Sequence, residues 1–77
     1  MLCKIGDIAV VRNFKQGIIE CPVIYVSQKF IVVKSKFYKM VININGNKFN
    51  PYIDELNEFL EIKKEDEFSG IYSERIW

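Results

Sequence analysis

The stretch QKFIVVKSKFYK, residues 28–39, threads Lys29, Lys34, Lys36 and Lys39 among Phe30, Phe37, Tyr38 and the apolar run Ile31, Val32 and Val33. Ammonium groups can neutralise phosphates, and exposed rings give bases a surface on which to stack. The same residues also suit a plain pair of strands, because lysine on a strand discourages edge-to-edge aggregation. On the polyanion reading the contacts are Lys29, Lys34, Lys36 and Lys39 with the Tyr38 ring, and Phe37 is an alternative ring.

Other chemistry is missing. The chain has no histidine, so a Ser-His-Asp or Cys-His nucleophile cannot be assembled. Cys3 and Cys21 are the only cysteines. Two thiols without histidine fall short of the four N or S ligands of a structural zinc site, and they are expected to stay reduced. No phosphate-binding loop, dinucleotide fingerprint or calcium loop is present. The carboxylates between 54 and 67 read as the solvated face of one element rather than a pair converging across a cleft. No cofactor and no metal are expected.

The elements that would carry the lysines are short strands. With 77 residues, 49% hydrophobic and 27% charged, the chain reads as one globular domain over 1–77. Gly6-Asp7 marks a turn. Beyond it Ala9, Val11 and Asn13 alternate with Ile8, Val10 and Arg12. A second strand covers IIECPVIYVS, with Val23 and Tyr25 on one face and Ile24 and Val26 on the other. A third is FIVVKS. A fourth, YKMVININ, sets Tyr38, Met40, Ile42 and Ile44 against Lys39, Val41 and Asn43. Asn45-Gly46 predicts a type I′ hairpin turn into a short strand, NKFN. Residues 1–50 thus form a β-rich basic body.

The period then changes. Tyr52, Ile53, Leu56, Phe59 and Leu60 fall on one helical stripe, with Asn50 as N-cap and Pro51 in the first turn. This predicts an acidic amphipathic helix over 51–66, the alternative being a last strand at residues 59–62. Residues 67–77 form an apolar tail. The expected fold is mainly β (α+β): an SH3-like antiparallel barrel or curled sheet of about five strands, plus that C-terminal helix.

KIGDIAVV, followed by GIIECPVIYVS, resembles the opening of the MazF/PemK toxin ribonucleases over roughly residues 4–35. That family has an SH3-like barrel, a Gly-Asp before its first strand, and an Arg-Pro leading a hydrophobic strand that ends in serine. Gly6-Asp7 and the run from Pro22 to Ser27 match. Cys21 stands in place of the arginine, and the chain has no threonine to match the family's later Thr or Ser. The resemblance implies the barrel, and its departures point away from RNA cleavage.

Charge and hydropathy suggest partners. Residues 1–50 carry eight Lys/Arg against Asp7 and Glu20, whereas 51–77 carry eight acids against Lys63, Lys64 and Arg75. The second and third strands are apolar on both faces, more than one sheet layer covers. A homodimer is therefore expected, with an interface of Tyr25, Ile71, Tyr72, Ile76 and Trp77. No apolar run approaches the ~20 residues of a membrane helix, and a cytoplasmic location is expected. The function expected is a non-enzymatic binding module that occupies a protein or polyanion surface. The bias toward Ile, Lys and Asn suits a phage or mobile-element inhibitor. A nucleic-acid or nucleotide-binding protein and a relative of the ribonucleases are the alternatives.

Overall fold

The computed structural model describes residues 2–64. They form six strands: β1 (Ile8–Asn13), β2 (Gly17–Val26), β3 (Phe30–Lys34), β4 (Lys39–Asn45), β5 (Lys48–Phe49) and β6 (Asn57–Lys63). The spatial order is β5-β4-β3-β2-β1-β6, with every neighbouring pair antiparallel. The sheet curls into a nearly closed barrel. Tyr52 bridges Glu58, the Phe59 amide donates to the Pro51 carbonyl at 2.7 Å, and the Phe49 and Phe59 rings lie 5.0 Å apart. These contacts bring the β5 end of the sheet against β6.

The core is built from the inward faces: Ala9 and Val11 of β1, Cys21 and Val23 of β2, Ile31 and Val33 of β3, and Met40 and Ile42 of β4. The alternation expected in β1, β3 and β4 holds. The hairpin at 45–48 forms with a different turn. Gly46 and Asn47 are its central residues, Gly46 alone has positive φ (64°), and Asn45 pairs with Lys48. Glycine at the first central position with positive φ is the type II′ pattern, not type I′.

Two β-bulges redirect side chains. Val23 pairs with Val33 and Tyr25 with Val32, so Ile24 is an extra residue in β2. Val23 stays inside, Ile24 and Tyr25 both turn outward, and Val26 returns to pack on the core. The expected sharing of a face by Val23 and Tyr25 is thereby corrected. In β6, Leu60 is the extra residue opposite the Val10/Val11 step.

The helix expected over 51–66 is not present in its described part. Residues 51–56 form a loop, 57–63 are β6, and 65–66 lie outside the described residues, as does the 67–77 tail. Two physical reasons account for this. β1 buries Ala9, Val10 and Val11, and the edge it does not share with β2 needs backbone partners that a helix cannot supply. The signals read as helix caps also serve a loop: the Asn50 carboxamide accepts from the Tyr52 amide, and the Asp54 carboxylate from the Leu56 and Asn57 amides. Such bonds are common to N-caps and Asx turns.

A polar network closes one end of the barrel. Buried Asn13 donates from Nδ2 to Asn57 Oδ1 at 2.8 Å, and its Oδ1 accepts from the Lys15 and Gln16 amides. Asn57 Nδ2 donates to the Asp54 carboxylate and to the Tyr38 hydroxyl. Replacing Asn57 with alanine leaves the Asn13 amide without its closest acceptor, at a cost of about 2 kcal/mol. The expected drop in melting temperature is roughly 10 °C for a domain of this size; an unchanged melting curve would remove the network from the fold's supports.

Both cysteines are free and buried, and burial pushes each thiol above its ordinary value near 9.0; for Cys3 the Asp7 carboxylate adds to the rise and Lys64 opposes it. Below 9 both folded and unfolded chains keep these protons. Above it the unfolded chain ionises first, so stability falls as pH rises. Melting temperature should therefore decline above pH 9, and Cys21→Ala should shallow that decline. An equal slope in the variant would exclude Cys21 as a source.

Candidate functional site

The β2–β3 and β3–β4 connections are built alike. The Ser27 hydroxyl donates to the Phe30 carbonyl and accepts from the Lys29 and Phe30 amides. The Ser35 hydroxyl donates to the Tyr38 carbonyl and accepts from the Phe37 and Tyr38 amides. Each serine thus caps a tight turn with two central residues, Gln28-Lys29 or Lys36-Phe37. The Ser-x-x-aromatic repeat that encodes both turns is visible in the sequence, although reading it by strand alternation passes over it.

The second turn concentrates charge. Lys34 and Lys39 are directly opposite each other at the ends of β3 and β4, and Lys36 and Phe37 lie at the tip between them. Lys36 Nζ stands 5.6 Å from the centre of the Phe37 ring, which is 73% exposed. Lysines facing each other across a ladder repel. No ion pair relieves them among the described residues, nor Lys29. The ion pairs that do form join Arg12 to Glu58, Lys63 to Glu20 and Lys64 to Asp7. They lie on β1, the first half of β2, β6 and the segments flanking β1 and β6. Arg12, Lys63 and Lys64 are thus paired, whereas Lys15 in the β1–β2 turn and the four lysines of the β2–β3–β4 half have no ion pair among the described residues.

The outer face of β2–β3–β4 continues from the charged tip. Tyr25 is opposite Val32, and Val32 is opposite Val41. The Tyr25 and Phe30 rings are 5.9 Å apart. Tyr25 is 52% and Val41 49% exposed, and Ile24 is exposed beside them. This is the second apolar face expected from the sequence, and the β2 bulge is what brings Tyr25 onto it.

The candidate residues are partly separated. Lys34, Lys36 and Lys39 come together with Phe37. Lys29 sits in the turn at the other end of β3, about 16 Å of strand from Lys34 at 3.3 Å per residue. Tyr38 flanks the same tip and is 41% exposed, while its hydroxyl, 3.2 Å from Asn57 Nδ2 and 3.4 Å from Asn13 Nδ2, ties the ring to the polar end of the barrel. Phe37 is the more exposed of the two rings. Ile71, Tyr72, Ile76 and Trp77 lie outside the described residues. No metal-binding cluster occurs among the described residues, and no described helix is long and apolar enough to cross a membrane.

The described residues form a small antiparallel barrel whose outer β2–β3–β4 surface is apolar at the centre and cationic at one tip. No protein-family model, curated protein or solved structure matches the chain.

These outer residues hold up little of the fold. Phe37→Ala and Lys36→Ala should each alter unfolding free energy by no more than about 0.5 kcal/mol, in contrast to Ile42→Ala, which empties a fully buried position and should cost about 2–5 kcal/mol. Chemical denaturation of the three variants checks this. A large loss at Phe37 would make the tip structural.

Proposed function

We propose that the protein is a non-enzymatic binding module that holds a single-stranded nucleic acid on the outer face of β2–β3–β4. The observation that carries this reading is the β3–β4 tip, where Lys34 and Lys39 face each other beside Lys36 and an exposed Phe37, with no carboxylate partner among the described residues. Mutually repelling cations are relieved by an anion, and a string of phosphates supplies several at once. Stacking of a base on an aromatic ring adds about 1–3 kcal/mol, an interaction open to any base. Phe37 at the tip and Tyr25 on the adjoining face offer two such rings. A duplex would satisfy the lysines but leave Tyr25, Val32 and Val41 facing water.

The strand order supports an SH3-like barrel, with β6 returning beside β1 after the loop at 51–56. The resemblance to the MazF/PemK ribonucleases fits the same ligand class. Catalysis is not part of the proposal. Cys21, in the place of the family's arginine, is fully buried beneath the sheet, and Arg12 is engaged with Glu58.

A homodimer through the same face is a second reading, favoured by the exposure of Ile24, Tyr25 and Val41. The two separate experimentally, since a dimer needs no ligand and forms with increasing protein concentration.

Binding to single-stranded oligonucleotides across a salt series tests the proposal. Each phosphate neutralised on a single strand contributes about 0.7 to the slope of log K against log salt. The double variant Lys34→Glu/Lys39→Glu should flatten that slope by about 1.4 and weaken binding. Phe37→Ala should weaken binding with the slope unchanged, and bound RNA should stay intact. No saturable binding, or an unaltered slope in the charge-reversed variant, sinks the reading; a concentration-dependent dimer mass in light scattering, without oligonucleotide binding, installs the second.

A further inference from the structure

A separate feature lies at the far end of β3 from the lysine tip. A groove of about 590 Å³ opens between the N-terminal segment, the β2–β3 turn and the β4–β5 hairpin. Leu2, Val26 and Ile44 form its apolar floor, and Gly46 and Asn47 part of its rim. Val26 and Ile44 are themselves packed on the core, so the groove is an open mouth of the barrel. Its size falls within the range of small-ligand pockets, but such pockets orient their ligands with a few free polar groups. The Ser27 hydroxyl, the natural candidate, is consumed by its own turn.

The chain supplies an occupant beside it. Lys64, the last described residue, donates from Nζ to the Leu2 carbonyl at 2.6 Å and stands 3.6 Å from the buried Asp7 carboxylate. The segment that follows, EDEFSGIYSERIW, therefore departs next to a residue that lines the groove. It opens with Glu65, Asp66 and Glu67, and its apolar side chains begin at Phe68, Ile71 and Tyr72. At up to about 3.5 Å per residue, Phe68 can lie roughly 14 Å and Tyr72 roughly 28 Å beyond Lys64. Lys29, which follows Gln28 of the groove lining, is a cation without an ion pair among the described residues, and its charge is complementary to the three acids that open the segment. A tethered segment also acts at an effective concentration in the millimolar range, which a free ligand seldom matches.

We infer that residues 65–72 of the same chain dock in this groove, with Phe68, Ile71 and Tyr72 against Leu2, Val26 and Ile44 and the preceding acids at the Lys29 turn. Docking covers the open mouth of the barrel. It also gives Lys29 a role distinct from that of Lys34, Lys36 and Lys39, and it holds the acidic residues at the end of β3 away from the lysine tip. The inference stands independently of the nucleic-acid reading.

The test uses the full chain carrying Ser73→Cys and a nitroxide label. Cys3 and Cys21 are buried with their thiols pushed up, so the label goes to the introduced cysteine. Paramagnetic broadening should appear at the amides of Leu2, Ser27, Gly46 and Asn47. It should persist on tenfold dilution and be absent when labelled chains are mixed with unlabelled, isotope-enriched ones. Adding Ile71→Asp/Tyr72→Asp to the labelled chain should abolish it while leaving the Ile42 resonances in place. Broadening centred on Tyr25 and Val41, transfer of the effect to the mixed chains, absence of any localised effect, or survival of the effect in the aspartate variant would each overturn the inference.

Discussion

The hydrogen bond from Asn13 to Asn57 decides more of this structure than its single 2.8 Å contact suggests. Asn13 ends β1 and caps the turn into β2; Asn57 begins β6 and is itself caught by Asp54 in the preceding loop. Pairing the two carboxamides sets β6 in register on β1. Tyr38 joins the same cluster from the base of the β3–β4 turn. Once its phenol is held there, Lys36 and Phe37 form the remaining two residues of the turn, and both are exposed. A buried polar cluster of this kind is costly unless each member is satisfied, and no buried side-chain nitrogen or oxygen among the described residues lacks a partner. The exposed chemistry of the tip is thus positioned by buried chemistry at the end of the barrel.

Much of the fold can be read from the sequence, and the exceptions share a cause. Alternation locates β1, β3 and β4 and the inward residues Ala9, Val11, Met40 and Ile42. It fails where a strand carries an extra residue. With Leu60 bulged, the inward-packing positions of β6 are Asn57, Phe59 and Ile62. The stripe Tyr52, Ile53, Leu56, Phe59 and Leu60, which runs from the 51–56 loop to the bulged residue of β6, has the spacing of a helix face, and together with Asn50, Pro51 and Asp54 it imitates a capped amphipathic helix. Ile24 is the extra residue in β2, making Val23 and Val26 the inward pair. Nothing local distinguishes a bulged strand from a helical turn. The arbiter is tertiary: the unfilled edge of β1.

The candidate site divides along similar lines. The sequence groups Lys29 with the other lysines because they are near in the chain, and a strand then carries them to opposite ends. It offers Tyr38 and Phe37 as equals, and only the distant partners Asn13 and Asn57 separate a tied ring from the more exposed one. The face around Tyr25 is legible as surplus hydrophobicity on β2 and β3, but its outward direction depends on a bulge that alternation does not register.

Charge placement supplies the last step. A small barrel could relieve Lys34 and Lys39 by a single acidic substitution at either position, gaining a cross-strand attraction in place of a repulsion, a difference of up to about 1 kcal/mol. Such pairs are used elsewhere in this chain, between Arg12 and Glu58 on β1 and β6 and between Lys63 and Glu20 on β6 and β2. The device is thus present in the fold but does not extend to the β3–β4 tip. What a lysine pair provides, and an ion pair does not, is positive potential that reaches beyond the surface, over about 8–10 Å at ordinary ionic strength. Combined with a ring that has no packing role, that potential is what an approaching polyanion would encounter first.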